Sequence, residues 1–176
     1  MKLSKLPILA LWISLIALVA ACGNDTNTDS TTEISIKPTN FKQWEKQVRR
    51  YQPNIVVVDL WAMWCTSCIK RFPHMVAMSE SYRDKGVRFI SMNLDDHNDS
   101  QALRQANTFV KEMNARFDHF HMDENLIDAF EYFRLIGIPA VLVFDGDGNE
   151  RFRLTGDNPN AQFTEVDIER AVLDLL

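Results

Sequence analysis

A chain of 176 residues, 46% hydrophobic and 24% charged, is long enough for one compact domain with a tail and too short for two ordinary domains. Its net charge of -5 argues against a nucleic-acid partner, because phosphate binding needs a basic face. The dense basic pairs, Lys70-Arg71 and Arg49-Arg50, read as solvated helix surface.

Lys2 and Lys5 precede an almost uninterrupted apolar run from Leu6 to Ala21 that ends in small residues, the pattern of a targeting segment. A run of this length also suffices for an uncleaved membrane anchor. Leu18-Val19-Ala20-Ala21-Cys22 favours the first reading. It resembles the lipobox of bacterial lipoproteins, in which cleavage falls just before a cysteine whose sulfur already carries lipid. The resemblance implies a signal peptide over residues 1–21, lipidation of Cys22 as the mature N-terminus, and an extracytoplasmic protein attached to a bacterial membrane, on the periplasmic side in a Gram-negative host. An uncleaved anchor and plain secretion are the alternatives. Residues 22–33 then comprise the lipidated cysteine and a tether whose polar stretch 23–32 has no large apolar side chain to dock, leaving 34–176 as the folded domain.

Along the domain, Ile34–Lys37 reads as an edge strand and Phe41–Tyr51 as a helix capped by Thr39 or Asn40 and stopped by Pro53. Ile55-Val56-Val57-Val58-Asp59-Leu60 is a β-branched run of the kind buried on both faces, so it belongs in the middle of a sheet. A long helix from residue 65 to about 85, kinked at Pro73, ends at Gly86. Val87–Leu94 is a second buried strand, Ser100–Met113 a helix started by Asn98, Asp99 or Ser100, Asp118–His121 a short strand and Leu126–Phe133 a brief helix. Ala140–Phe144 and Glu150–Leu154 flank Asp145-Gly146-Asp147-Gly148, a hairpin signal, and Thr164–Leu176 closes the chain as a helix. This alternation predicts an α/β fold with a mixed central β-sheet flanked by helices on both faces.

The chain has three cysteines, and lipidation of Cys22 leaves two, Cys65 and Cys68, where the buried strand hands over to a helix. A helix N-terminus offers unpaired N–H groups and the positive end of the macrodipole, which favour a thiolate on Cys65, and Cys68 lies one turn on. Cys65 is therefore the exposed nucleophile and Cys68 the resolving thiol of a thiol–disulfide exchange that needs no cofactor and no metal. A purely structural disulfide would close too small a loop to stabilise much, and half of a zinc site would need further ligands that the chain does not evidently supply.

Here the chain resembles the thioredoxin superfamily, and more closely the membrane-anchored, extracytoplasmic thiol–disulfide oxidoreductases of the TlpA/ResA type. The likeness covers about residues 34–176 and rests on Trp61-Ala62-Met63-Trp64-Cys65-Thr66-Ser67-Cys68, on Pro73, and on Gly137-Ile138-Pro139 before the strand Ala140–Phe144. It implies a thioredoxin-like fold, a redox disulfide between Cys65 and Cys68, a cis bond at Ile138–Pro139 beside it, and substrate contact by Trp64, Ile138 and Pro139. It also makes Asp59, an acid in an apolar strand, the acid/base partner of Cys68, against the alternative of an aspartate turned outward or hydrogen-bonded at the strand end.

Two departures from the family stand out: Thr66-Ser67 between the cysteines, and Arg71 where many TlpA/ResA-like sequences have glutamate. A cation at that position is expected to favour the Cys65 thiolate. The resemblance further implies protein thiols and disulfides as substrates and a membrane thiol reductase as electron donor, with reduction the expected direction. Two other functions compete. His119 and His121 alternate as on a strand and would allow a copper-binding metallochaperone, although surface histidines are the commoner cause of such spacing. A peroxiredoxin-like peroxidase is the more remote alternative. Asp95-Asp96 and the Asp145–Gly148 turn read as loop acids.

Overall fold

Apolar strands too short to bury themselves, alternating with amphipathic helices, have one economical solution, a sheet covered on both sides. The computed structural model takes it, and describes residues 33–158, 160 and 162–176. The targeting segment, Cys22 and the tether up to residue 32 lie outside the described residues. In chain order the elements are β1 (Ile36–Thr39), α1 (Phe41–Arg49), β2 (Ile55–Trp61), α2 (Thr66–Ser81), a 3-10 turn (Arg83–Lys85), β3 (Val87–Asn93), α3 (Ser100–Glu112), β4 (Asp118–Met122), α4 (Leu126–Tyr132), β5 (Ala140–Phe144), β6 (Glu150–Thr155) and α5 (Glu165–Leu173). The strands lie in the order β1-β4-β3-β2-β5-β6. The first four run parallel, and β5 and β6 are antiparallel to their neighbours. This is the thioredoxin-like α/β fold expected from the sequence.

β2 occupies the interior of the sheet, and all seven of its residues are buried. Val56, Val58 and Leu60 face a core closed by Trp44 and Val48 of α1 and by Ala129 of α4 with the adjacent Phe133. Val57 faces the opposite core, closed by Met75 of α2 and Ile168 and Val172 of α5. Trp61, on that same side, packs with Phe72 of α2 and Ala106 and Val110 of α3. The central strand is thus dry on both sides up to its last residue.

Helix starts are set by local side chains. Asn40 accepts from the Gln43 N–H at 2.9 Å while Gln43 accepts from the Asn40 N–H at 3.1 Å, and Asp99 accepts from the N–H groups of Gln101 and Ala102. The expected single helix over 65–85 is divided: α2 stops at Ser81 and the 3-10 turn carries the chain to Gly86, whose φ of 74° makes the reversal into β3. β1 begins two residues later than the sequence suggested and includes Pro38, which an edge strand tolerates because one side of it needs no donor. Two X-Pro bonds are cis, Gln52–Pro53 and Ile138–Pro139.

The β5–β6 hairpin turns where the sequence placed it, and its tip packs on the Pro53 segment. A Cβ added at Gly146 would stand 2.5 Å from the Pro53 carbonyl oxygen, too close for both to stay in place. Gly146→Ala is therefore expected to lower stability by about 1–3 kcal/mol in denaturant unfolding. Because this contact sits at the end of β2 remote from the cysteines, the rate of thiol exchange should not change.

Candidate active site

β2 ends at Trp61, and after Ala62-Met63-Trp64 the chain enters α2 with Cys65 as its N-cap. The Cys65 sulfur accepts the otherwise unpartnered N–H of Cys68 at 3.2 Å, and the Ser67 hydroxyl stands 3.6 Å from it. Cys65 and Cys68 form a disulfide with an S–S distance of 2.06 Å. Cys68 is sealed from solvent whereas Cys65 keeps 6% of its surface exposed, so an external thiol or disulfide can meet only Cys65. Trp64 beside it is 56% exposed, while Trp61 lies in an aromatic cluster with Phe72 and Phe109 beneath the disulfide.

The loop is held from below by a residue that the sequence reading took only for a loop acid. Asp95 is buried, not a loop acid in solvent, and both its carboxylate oxygens accept the Met63 N–H at 3.1 Å. Asn93 donates its side-chain N–H to the same carboxylate at 2.7 Å, and His121 Nε2 donates to the Asp95 carbonyl at 3.2 Å. The only signal in the sequence was its position, two residues beyond the end of β3, where a parallel strand delivers side chains to the same end of the sheet as the cysteines.

On the α2 side of the sheet, Asp59 lies next to Ser91 of β3, and Ser91 next to His119 of β4, a buried polar row across three parallel strands. His119 Nε2 faces the Ala115 carbonyl at 2.9 Å and must donate to it, so Nδ1 accepts from the Ser91 hydroxyl at 2.7 Å. Burial pushes the His119 and His121 imidazoles below their ordinary value, which keeps both neutral at physiological pH. The expectation that these two are surface histidines is corrected: each sits in a strand whose faces are both covered. Among the described residues no group of three His, Cys, Asp or Glu side chains is placed to hold a metal ion.

Asp59 is buried and ion-paired with Arg71, one turn beyond Cys68 on α2. Arg71 donates through Nη2 to Asp59 Oδ1 and lies over the Phe163 ring, 4.9 Å from its centroid. Here too the structure corrects the sequence reading. Arg71 is not solvated helix surface but points inward, because the face of α2 that carries Cys68 and Met75 is the one packed on the sheet, and Asp59 supplies the counter-charge that makes burial tolerable. Its charge is directed at Asp59 and not at Cys65. Burial pushes the Asp59 carboxyl above the ordinary carboxylate range, and the Arg71 guanidinium pulls it back.

Ile138 packs against the cluster that contains both cysteines, with Pro139 following in the cis form. The Pro139 carbonyl accepts the Gly156 N–H at 2.8 Å, and a Cβ at Gly156 would meet the proline ring at 2.9 Å. Ile136, just before this loop, is 87% exposed. The structure therefore brings Trp64, Cys65, Cys68 and Ile138 together and sets Asp59 behind them, while Cys22 lies outside the described residues.

Residues 29–152 match the AhpC/TSA family. Among curated relatives, the thiol-disulfide oxidoreductase ResA of Geobacillus kaustophilus is 24% identical over 168 residues, covering 89% of this chain and 88% of that one. ResA of Bacillus thuringiensis is 23% identical over 143 residues, covering 70% and 79%. A secreted Mycobacterium tuberculosis disulfide oxidoreductase, described as homologous to DsbE of E. coli, shares the fold with a TM-score of 0.53 at 20% identity, covering 72% of this chain and 85% of that one.

Removing the Asp95 carboxylate leaves the Met63 N–H without its acceptor. Asp95→Ala is expected to cost about 1–3 kcal/mol of stability. It should also speed amide hydrogen exchange at Met63 while Val57 in mid-strand stays protected. Unchanged exchange at Met63 would show that the carboxylate does not hold the loop.

Proposed function

We propose, for a chain that belongs to the AhpC/TSA family and is a thiol–disulfide oxidoreductase, that it serves as an extracytoplasmic, lipid-anchored reductase of protein disulfides. The single observation that carries the reading is the asymmetry of the pair: one sulfur at a helix N-terminus with a small exposed surface, the other sealed behind it.

In the reduced state the Cys65 thiolate, stabilised by the Cys68 N–H and by the helix terminus, attacks one sulfur of a target disulfide. The target S–S bond breaks, its other sulfur leaves as a thiolate, and a mixed disulfide joins Cys65 to the target. Cys68 then gives up its proton and attacks the Cys65 sulfur. The bond to the target breaks, the second target thiolate leaves, and the Cys65–Cys68 disulfide remains, two electrons having passed to the target. Asp59 is the acceptor for the Cys68 proton. Trp64, Ile138 and Pro139 form the surface that receives the target segment, with the exposed Trp64 ring offering apolar contact next to the reactive sulfur. A membrane thiol reductase returns the pair to the dithiol.

The location rests on the sequence, through the apolar run 6–21 and Cys22, and is supported by the secreted character of the Mycobacterium tuberculosis neighbour. Among the described residues no helix is long and apolar enough to cross a membrane. In this reading, lipid on Cys22 holds the domain at the membrane surface where its electron donor resides.

Equilibration of the protein against a dithiothreitol series tests the reading. The expected potential lies nearer that of thioredoxin, about -270 mV, than that of DsbA, about -120 mV. Cys68→Ser should trap a covalent mixed disulfide with an oxidised protein substrate, and Cys65→Ser should form none. A potential near the DsbA value would reverse the direction to oxidation, and a pair that does not cycle would remove the enzymatic reading altogether.

A further inference from the structure

Arg71 belongs to α2 and places its charge on Asp59 in the layer that also buries Cys68. The geometry of the pair is one-sided. Asp59 Oδ1 takes the Arg71 Nη2–H, while Oδ2 is buried with no hydrogen-bond partner among the described residues, as is Arg71 Nε. A buried carboxylate tied down through one oxygen and open at the other has a free proton-acceptor position.

We propose that Arg71 is a positioning residue of the exchange reaction: its guanidinium holds Asp59 as an open carboxylate, ready to take the Cys68 proton through Oδ2 when the mixed disulfide is resolved. This inference rests on the reading of Asp59 as the proton acceptor. In the step concerned, the Cys68 S–H proton passes to Asp59 Oδ2, the Cys68 sulfur bonds to the Cys65 sulfur, the Cys65–target bond breaks, and the target sulfur leaves with the electron pair. Arg71 touches none of the reacting atoms and acts only through Asp59.

The surroundings leave Arg71 as the one full charge packed against Asp59 among the described residues. From α2 come Arg71 and Cys68, with Lys70 and His74 exposed on the helix's other side. From β3 and β4 come Ser91 and, behind it, His119, which burial keeps neutral although its hydrogen bond to Ala115 pulls the other way. Val141 of β5, Ile168 and Val172 of α5 and the Phe163 ring under the guanidinium add no titratable group. Without Arg71 the carboxylate would be alone in a dry layer, which favours its protonated form and fills the acceptor position. The sign is thus fixed: loss of the cation moves the requirement for an ionised Asp59 to higher pH.

The test follows, over a range of pH, formation of the Cys65–Cys68 disulfide when the reduced full-length protein meets oxidised glutathione. Asp59→Asn identifies the limb of the rate profile that belongs to Asp59 by abolishing it. Arg71→Gln should displace that limb upward by about one unit, which is about five-fold in rate at the pH where the wild type is half-maximal and about ten-fold well below it. Arg71→Lys, which keeps the charge, should restore most of the rate. Should Arg71→Gln fail to fold because it strands a buried carboxylate, the double variant Asp59→Asn/Arg71→Gln, free of both charges, carries the test, and its profile should equal that of Asp59→Asn alone. An unmoved limb in Arg71→Gln, an equal displacement in Arg71→Lys, or a double variant slower than Asp59→Asn would overturn the role of Arg71 while leaving Asp59 in place. A limb that survives Asp59→Asn would overturn the Asp59 reading itself, and this inference with it.

Discussion

The Cys65 sulfur takes the place of a cap at the start of α2, accepting an N–H that no helical carbonyl can reach. A thiol is a poor acceptor and a thiolate a good one, so the same contact that starts the helix favours the charged, nucleophilic form of the sulfur. The position depends on β2. Because that strand is dry on both faces to its last residue, the chain leaves the sheet only at Trp61, and a three-residue loop delivers Cys65 to the helix start. Asp95, held by Asn93 and touching the Met63 N–H, fixes the loop between them. The reactive sulfur therefore sits on a support made of strand end, loop anchor and helix start, each with its hydrogen bonds inside the fold.

Charge beneath the disulfide is arranged differently from charge at a surface. Asp59 and Arg71 are both out of water, and a buried ion pair is no dependable source of stability, since its attraction must offset the desolvation of two ions. Its persistence here is better understood through the chemistry next to it. The layer that contains the pair also contains Cys68, and a proton leaving that sulfur has no route to solvent except past neighbouring side chains. The polar row of Asp59, Ser91 and His119 crosses the α2 side of the sheet, and its histidine is pinned as a neutral donor and acceptor while Asp59 keeps one oxygen open.

Much of this architecture was legible in the order of residues. The run Ile55–Leu60 announced a strand buried on both faces, the Asp145–Gly148 turn announced a hairpin, and Cys65 and Cys68 fell at a strand-to-helix boundary whose chemistry follows from helix termini alone. What stayed hidden were features made by non-local packing. Arg71 looked like solvent-facing helix because its neighbour Lys70 is, and nothing local says which of two adjacent residues a helix turns inward. Asp95 looked like a loop acid because its partner, the Met63 N–H, is 32 residues away. His119 and His121 alternate as strand residues do, but alternation alone does not report whether both faces of the strand are covered. In each case a polar residue became buried through a partner supplied by a different element.

The central claim is that the two sulfurs are unequal, with Cys65 alone open to reaction. The most direct measurement is alkylation of the reduced protein with iodoacetamide at limiting reagent, with the labelled residue located by peptide mass mapping. The account predicts label on Cys65 well before Cys68 at neutral pH. Equal labelling, or label on Cys68 first, would contradict it.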